Sequence, residues 1–327
     1  MLSPHQVDTI LRKRYKLTNI VGHGGMGNVY RAEDLRLPGR LCAIKEIQPG
    51  PNDTAEVWAQ AQEQFLKEAS ILAQLDHPNL PKVSDFFTEN ERDYLVMDYV
   101  PGQDLKQILE ESRANGRPLS EAQILEWAEQ IMDALAYLHR QASPVLHRDI
   151  KPANIKLTPD GRIKLVDFGL VKLMLPDDNR TITVVQGRGT ALYTPLEQYG
   201  GDGGHTDGRT DIYALGATLY HLLTDFPPPD AKARFLNPRV LQPPRTLQSH
   251  ISPHVSEAIM WAMGMHPDDR PDNVAQFRQV LLGKENRPNK RGVSIADDTL
   301  AAALKGHRLP ALLALSLFII AIILTIL

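Results

Sequence analysis

Two short segments carry the side chains best suited to chemistry. Residues 146–154 read LHRDIKPAN, and Asp167 begins a DFG segment shortly afterwards. The carboxylate of Asp149 can orient a hydroxyl group or accept its proton, and Lys151 offers a positive charge to phosphate oxygens. Asn154 and Asp167 supply oxygen ligands of the kind that Mg²⁺ prefers. Together these side chains predict phosphoryl transfer.

A glycine-rich segment near the N-terminus has the spacing G-x-G-x-x-G, with Gly22, Gly24 and Gly27 at its fixed positions. Glycines lack the side chains that would keep the backbone away from a triphosphate, so amide groups can approach phosphate oxygens closely. A dinucleotide-binding motif has the same spacing, but it opens a helix and is followed by an acidic residue about twenty positions later. Here β-prone runs at 15–20 and 29–32 flank the glycines, which favours a hairpin that closes over phosphates.

Four ordered motifs resemble the signature of eukaryotic-type protein kinases. They are the glycine-rich loop followed by Val29, the run CAIK that ends at Lys45, the HRDIKPAN segment, and DFG. The sequence is therefore similar to the bacterial eukaryotic-like (Hanks-type) serine/threonine protein kinases over residues 14–283. The resemblance implies ATP and Mg²⁺ as cofactors, with Mn²⁺ as an alternative metal, and protein substrates with Ser or Thr hydroxyls. The lysine at position 151, two residues after Asp149, is similar to the residue found there in the serine/threonine branch of the family.

The same resemblance implies a role for each catalytic side chain. Lys45 is expected to contact the α- and β-phosphates and to pair with Glu68, or otherwise with Glu63, on a helix. Asp149 is expected to orient the acceptor hydroxyl. Asp167 is expected to bridge Mg²⁺ to the phosphates, and Asn154 to hold a second metal position. His147, which might be taken for a general base, is expected only to pack behind the loop.

The resemblance also implies an ATP-binding slot. The glycines Gly22, Gly24 and Gly27 and the amine of Lys45 are expected at the phosphates. The apolar wall and hinge are expected to consist of Val21, Val29, Ala43, Met97, Asp98 and Val100. Lys156 departs from the family, because relatives often place Leu or Met beneath the adenine at this position. A lysine stem can still supply apolar contact while its head reaches solvent.

The segment between the DFG motif and Glu197 resembles an activation segment. Autophosphorylation is predicted at Thr181 or Thr183, and Arg148 could pair with a phosphate there. Where the family has A-P-E this chain has TPLE, so the proline is displaced by one residue. Glu197 is nevertheless expected to pair with Arg270.

The predicted fold is α+β and bilobal, with a β-rich small lobe over about 14–99 and a helical large lobe over about 100–283. A helix is expected over 56–75 in the small lobe. In the large lobe, helices are expected at 211–223, 256–263 and 273–282, and the clearest one starts after a Ser120 cap and runs to His139. A hairpin is expected to join 155–157 to 163–166.

Composition limits the class of protein. With 327 residues and 43% hydrophobic residues, the chain is long enough for two lobes. Its net charge of −3 lacks the basic surplus of nucleic-acid-binding proteins, so no DNA or RNA partner is expected. The single cysteine, Cys42, excludes an intrachain disulfide and is predicted to be a small buried side chain, with a reactive thiol as the alternative.

An uncharged, apolar segment occupies residues 309–327. As a helix it would extend about 28 Å, close to the thickness of a bilayer core, which predicts a C-terminal transmembrane helix rather than a buried core helix. Residues 284–308 are polar and are predicted to be a juxtamembrane linker. Lys305 and Arg308 precede the span, so a single-pass protein of the cell membrane with a cytoplasmic kinase domain is expected.

Two further expectations concern the ends of the chain and its partners. The N-terminus lacks the apolar region of a signal peptide. Dimerisation in the bilayer stays open, because the small residues Ala311 and Ala314 are too weak a pattern to predict it.

The alternative function is a pseudokinase scaffold at the membrane, which would usually have lost a catalytic residue. A small-molecule kinase that shares the core fold is a third hypothesis.

Overall fold

The structure, a computed structural model, describes residues 5–24, 27–48, 54–167, 188–199 and 206–288. The chain divides into two units, Met1–Asn286 and Arg287–Leu327, and all the elements named below belong to the first. No helix within the described residues is long and apolar enough to cross a bilayer. The predicted span over 309–327 lies outside these residues.

A six-stranded antiparallel sheet forms the small lobe. Its strands are β1 (Ile10–Leu11), β2 (Tyr15–Gly24), β3 (Gly27–Asp34), β4 (Leu41–Ile47), β5 (Val83–Glu89) and β6 (Arg92–Asp98), in the spatial order β1-β2-β3-β4-β6-β5. Gly24 pairs with Gly27 across β2 and β3, which confirms the predicted hairpin at the glycine-rich segment. Buried and partly exposed residues alternate along β3 and β4, as expected for strands with one buried face.

One face of this sheet carries its own hydrophobic cluster. Its members are Leu11, Tyr15, Leu17, Tyr30, Ala32, Cys42, Ile44, Phe87, Tyr94 and Val96. Cys42 is buried there, and burial raises the pKa of its thiol. The structure therefore supports the packing role predicted for Cys42 over a reactive thiol, which would need a lowered pKa.

The helix predicted over 56–75 is present as α1 (Ala55–Ala73), which lies between β4 and β5 in the chain. Its Phe65, Ala69 and Leu72 are buried in a large hydrophobic cluster that continues into the helical lobe. Helical spacing of these residues was the sequence signal, and their burial explains why it worked. At Glu68 the structure describes the backbone but not the side chain.

The rest of the domain is mainly helical. Its helices are α2 (Leu105–Ala114), α3 (Glu121–His139), α4 (Arg188–Ala191), α5 (Gly208–Thr224), α6 (Ala231–Leu236), α7 (Pro244–Leu247), α8 (Pro253–Ala262) and α9 (Val274–Leu281). Three short strands form a second sheet, β7 (Gln103–Asp104), β8 (Ile155–Leu157) and β9 (Ile163–Leu165), in that order. The β8–β9 pair is the predicted hairpin. The two lobes confirm the bilobal α+β prediction.

Helices α3 and α5 support the residues of the candidate site. The Ser120 hydroxyl accepts a hydrogen bond from Gln123 N at 3.2 Å and so caps α3. Helix α5 is buried on nearly all sides, which marks it as a core helix rather than a surface one. A Cβ at its Gly216 would lie 2.8 Å from Ala262 Cβ, so the glycine permits the close contact between α5 and α8.

Candidate active site

A buried carboxylate of α5, that of Asp211, fixes the backbone of the segment that contains Asp149. The two oxygens of Asp211 accept hydrogen bonds from His147 N at 3.0 Å and Arg148 N at 2.8 Å. His139 Nε2 lies 2.8 Å from Asp211 Oδ2. Burial raises the pKa of Asp211, but His139 and the backbone donors outweigh it and the net pKa is lowered. The carboxylate therefore stays ionised and holds the backbone of the loop in place.

The backbone of this loop is also unusual at Arg148, whose φ is +63°. This left-handed conformation is uncommon for a residue with a side chain and is costly unless surrounding contacts impose it. The two hydrogen bonds to Asp211 are such contacts. His147 is fully buried, and burial lowers the pKa of its imidazole, which agrees with the packing role predicted for it.

Asp149 lies at the centre of a set of charge-assisted hydrogen bonds. Its Oδ2 accepts from Lys151 Nζ and from Asn154 Nδ2, each at 2.9 Å. Asn154 Nδ2 also donates to Asp149 O at 2.8 Å. Lys151 Nζ donates to Thr190 Oγ1 at 3.0 Å, which joins the loop to the segment before Glu197. The carboxylate is thus held in one orientation, as a group that must steer an incoming hydroxyl requires.

Lys45 and Asp167 form the second charged pair of the site. Lys45 Nζ donates to Asp167 Oδ1 at 2.5 Å, and the two side chains are 18% and 44% exposed. Burial raises the pKa of Asp167, but the attraction of Lys45, with smaller contributions from Lys151 and His147, outweighs it and the pKa is lowered. The carboxylate is therefore ionised and reachable from solvent. Its backbone φ is +62°, a second strained position in this region.

The predicted metal ligands fit a magnesium ion by their chemistry. The amide nitrogen of Asn154 is engaged with Asp149, so its carbonyl oxygen is the group that can bind a cation. Val166 N donates to Asn154 O at 2.9 Å, which places the next residue, Asp167, beside Asn154. Among the described residues no group of three or more His, Cys, Asp and Glu forms a metal site. One carboxylate and one amide match Mg²⁺, which takes few protein ligands when phosphates supply the rest.

Four of the residues predicted to hold the nucleotide share one face of the small-lobe sheet. Val29 pairs with Lys45 across β3 and β4, and Ala43 pairs with Met97 across β4 and β6. Because side chains alternate along a strand, Ala43 and Lys45 share the face opposite to the buried Ile44. Gly22 and Gly24 lie on β2, where Val21 is half exposed. At the hinge Val100 is buried, and Asp98 Oδ1 lies 3.5 Å from Arg40 Nη2.

A cavity extends behind this slot. It is lined mainly by apolar residues of α1, β5, β6 and the segment before β5, with the Lys45–Asp167 pair at one side. The lining residues are Lys45, Leu72, Leu75, Leu80, Pro81, Val83, Leu95, Met97 and Asp167. Apolar walls with one polar pair are typical of ligand-binding clefts.

Lys156 departs from the predicted pattern in an interpretable way. It lies on β8, and its Nζ is 5.8 Å from the ring centroid of Tyr99, which Arg31 approaches at 5.3 Å. Burial lowers the pKa of Lys156, although the nearby Asp104 acts in the opposite direction. The ammonium is therefore partly desolvated at the hinge rather than extended into water.

Three predicted site residues lie outside what the structure describes, namely Thr181, Thr183 and the side chain of Glu68. Sequence reasoning missed two residues that the structure brings to the site, Asp211 and His139. The available signal was an acidic residue in the first turn of an otherwise apolar helix, because a carboxylate buried there needs donors from elsewhere.

The comparisons with known proteins agree with this geometry. The family model described as "Protein kinase domain" matches residues 15–282. A probable serine/threonine-protein kinase of Streptomyces coelicolor is 36% identical over 275 residues, which are 81% of this chain and 39% of that protein. The serine/threonine-protein kinase PrkC of Bacillus subtilis is 38% identical over 222 residues, covering 67% of this chain and 32% of that protein. The chain thus spans less than half the length of these two relatives.

Solved structures match the fold over most of the chain. The structure titled "PpkA-294 apo form" aligns with a TM-score of 0.70 and 27% identity, covering 85% of this chain and 99% of that one. The kinase domain of PknI from Mycobacterium tuberculosis aligns with a TM-score of 0.64 and 26% identity, covering 86% and 100%. The chain belongs to the protein kinase domain family, and the relatives it resembles are bacterial serine/threonine-protein kinases.

Proposed function

We propose that this chain is an active serine/threonine protein kinase that transfers the γ-phosphate of ATP to protein hydroxyls with Mg²⁺, or Mn²⁺, as the metal. The observation that carries the proposal is the fixed position of Asp149, which Lys151 and Asn154 hold while Lys151 also contacts Thr190. A scaffold without catalysis would have no need of this arrangement. Phosphoryl transfer depends mainly on positioning and charge neutralisation, and these contacts supply both.

The site residues divide the work between them. Asp149 would orient the acceptor hydroxyl, and Lys151, which touches the same carboxylate, would neutralise charge that develops on the phosphate oxygens. Lys45 would bind phosphate oxygens, while Asn154 and Asp167 would hold the metal. When bound, Mg²⁺ would offset negative charge on the phosphates.

The test is transfer of labelled phosphate by the full-length chain in detergent, with Mg²⁺ and generic protein acceptors. Asp149→Asn should reduce transfer by at least about 100-fold, because it removes the charge that orients the hydroxyl. Asp160→Asn is the matched control, since Asp160 is an exposed carboxylate whose partners, Arg162 and Thr158, lie outside the candidate site. Equal transfer by wild type and Asp149→Asn would contradict the proposal, and phosphate mapped to tyrosines would contradict the serine/threonine assignment.

We also propose that the enzyme phosphorylates itself at Thr181 or Thr183. Support comes from Arg148, whose backbone N is held by Asp211 and whose guanidinium lies 3.5 Å from Thr206 Oγ1. A phosphate on that segment could pair with this guanidinium. Mass spectrometry of the chain after incubation with ATP and Mg²⁺ should find phosphate on this segment, and the Asp149→Asn variant should lack it. Phosphate on neither threonine of the active enzyme would refute this part.

Membrane anchoring is the last part of the proposal. The apolar segment 309–327 has the length and hydropathy of a single span, and the basic residues before it favour a cytoplasmic kinase domain. The full chain should stay with membranes after alkaline carbonate extraction. A chain ending at residue 308 should be recovered in the supernatant with its transfer activity intact. Recovery of the full chain in the soluble fraction would contradict anchoring.

A further inference from the structure

Glu46 is a buried carboxylate that the proposed chemistry does not use. It follows Lys45 on β4, and because successive residues of a strand point to opposite faces, it points away from the nucleotide slot. Its side chain is 0% exposed. An ionised group buried in this way is costly unless several donors surround it.

Four side chains from three parts of the small lobe surround this carboxylate. Oε1 contacts Arg92 Nη1 of β6 and lies 3.7 Å from Nε2 of His5 in the N-terminal segment. Oε2 accepts from Tyr30 Oη at 2.9 Å and from Asn28 Nδ2 at 3.1 Å, both on β3. Asn28 is itself buried and directly follows the last glycine of the glycine-rich loop.

The backbone of Glu46 holds the same loop end by close packing. A Cβ on Gly27 would lie 2.1 Å from Glu46 O, and the φ of Gly27 is +146°. Only glycine fits both the space and the backbone angle. The loop end at Gly27 and Asn28 therefore rests on Glu46 through a backbone contact and a side-chain hydrogen bond.

We propose that Glu46 is a positioning residue that fixes the C-terminal end of the glycine-rich loop, at Gly27 and Asn28, for nucleotide binding. The inference rests on the proposed function for the role of the loop. A backbone segment that is already fixed loses less conformational freedom when phosphates bind, so affinity is gained without a direct contact to the ligand. Arg92 acts through Glu46, because its guanidinium contacts the carboxylate directly.

The test compares Asn28→Ala with Tyr94→Phe in the full-length chain. Asn28→Ala removes the link from the loop to Glu46. Tyr94→Phe removes a buried hydroxyl of the same lobe, the one 2.7 Å from His5 Nε2, and leaves Gly27 and Asn28 unchanged. Asn28→Ala should raise the KM for ATP and the Kd for ATP with Mg²⁺ by about five- to tenfold, with kcat changed less than twofold. Tyr94→Phe should leave all three near their wild-type values.

Two further results separate positioning from general stability. Thermal unfolding midpoints show whether each variant is folded. In the Asn28→Ala, Glu46→Gln double variant the increase in Kd should be smaller than the product of the single increases, because both changes act on the same contact between Asn28 and Glu46. If Glu46→Gln fails to fold, the comparison of Asn28→Ala with Tyr94→Phe decides alone.

An unchanged Kd in Asn28→Ala, or an equal rise in Tyr94→Phe, would overturn the inference. Because Kd is measured without turnover, its failure is distinguishable from failure of the proposed function. If the wild-type chain binds ATP but transfers no phosphate, the kinase proposal is wrong. The effect of Asn28 on ATP affinity can still be measured in that case.

Discussion

Arg270 and Glu197 form a two-pronged ion pair in the large lobe. Arg270 Nη1 lies 2.5 Å from Glu197 Oε1 and Nη2 lies 2.9 Å from Oε2, while Nε donates to Gly264 O at 2.7 Å. Arg270 is fully buried. The pair predicted from sequence is thus present even though Pro195 is displaced by one residue from its family position. The displaced proline does not prevent the carboxylate from reaching its partner.

Breaking this pair should destabilise the domain strongly. Arg270→Met leaves the Glu197 carboxylate largely buried without its main partner, and such a loss typically costs about 3–5 kcal/mol in free energy of unfolding. Arg278→Met is the matched control, because Arg278 pairs with the exposed Asp133 at the surface and should cost about 1 kcal/mol or less. Urea denaturation of both variants measures the difference. Similar losses in the two would show that burial of the Glu197 pair contributes nothing.

Asp167→Asn should separate catalysis from folding. The substitution keeps the size of the side chain and removes the negative charge that a metal and Lys45 both require. Transfer should fall by at least about 100-fold, a loss typical of removing one electrostatic group from an active site. The unfolding midpoint should change little, because Asp167 is 44% exposed and contributes few packing atoms. Turnover at the wild-type rate would count against the metal assignment.

His221 should make stability depend on pH below neutrality. Its Nδ1 lies 2.6 Å from Tyr193 Oη, and burial, with help from Arg113 and Lys106 and against Asp225, lowers its pKa from 6.5 to about 4. The unfolded state therefore binds the proton more readily. The contribution of neutral His221 to the free energy of unfolding is fully present above pH 6.5 and is lost as the pH drops towards 4. Between pH 7 and pH 5 the loss should be about 2 kcal/mol.

The control for this effect is His221→Gln, which keeps an acceptor for the Tyr193 hydroxyl but does not titrate. Free energies of unfolding measured by urea denaturation at pH 7 and pH 5 should differ less in this variant than in the wild type. The same acid sensitivity in both proteins would assign it to other groups and refute the role of His221.

Local motifs explain which parts of the fold and site could be predicted from sequence. Helix α1 and the glycine hairpin were predicted because apolar spacing and glycine spacing are properties of short segments. The complete capping box at Asp104 and Gln107, which begins α2, was missed although its signal is local, because the helix is short and mostly polar and buries only Leu105 and Leu109. The Lys45–Asp167 pair joins two motifs that were each predicted, but their distance depends on the fold.

Residues that act across long separations could not be predicted in the same way. Asp211 holds the backbone at Arg148, and Glu46 is surrounded by side chains of β3, β6 and the N-terminal segment, yet neither lies in one of the four sequence motifs. Their roles follow from burial of a charge, which requires partners that only the folded chain brings together. The sequence shows an acidic residue within an apolar strand or helix pattern, but neither its burial nor its partners.

Lys156→Leu should strengthen nucleotide binding. The ammonium of Lys156 lies at the hinge, 5.8 Å from the Tyr99 ring centroid, and burial lowers its pKa, so an incoming adenine would desolvate it further. A leucine offers the base an apolar surface without that penalty. The Kd for ATP with Mg²⁺ should fall by roughly fivefold, equivalent to about 1 kcal/mol.

The matched control is Lys164→Leu on the neighbouring strand β9, because the two lysines are cross-strand partners and burial lowers the pKa of both. Lys164 Nζ donates to Leu80 O at 3.0 Å, so its ammonium is occupied by a backbone carbonyl rather than directed at the Tyr99 ring. Lys164→Leu should therefore leave the Kd for ATP unchanged while costing stability. Weaker ATP binding in Lys156→Leu would mean instead that the ammonium itself contacts the nucleotide, since loss of that contact would then outweigh the gain in apolar surface.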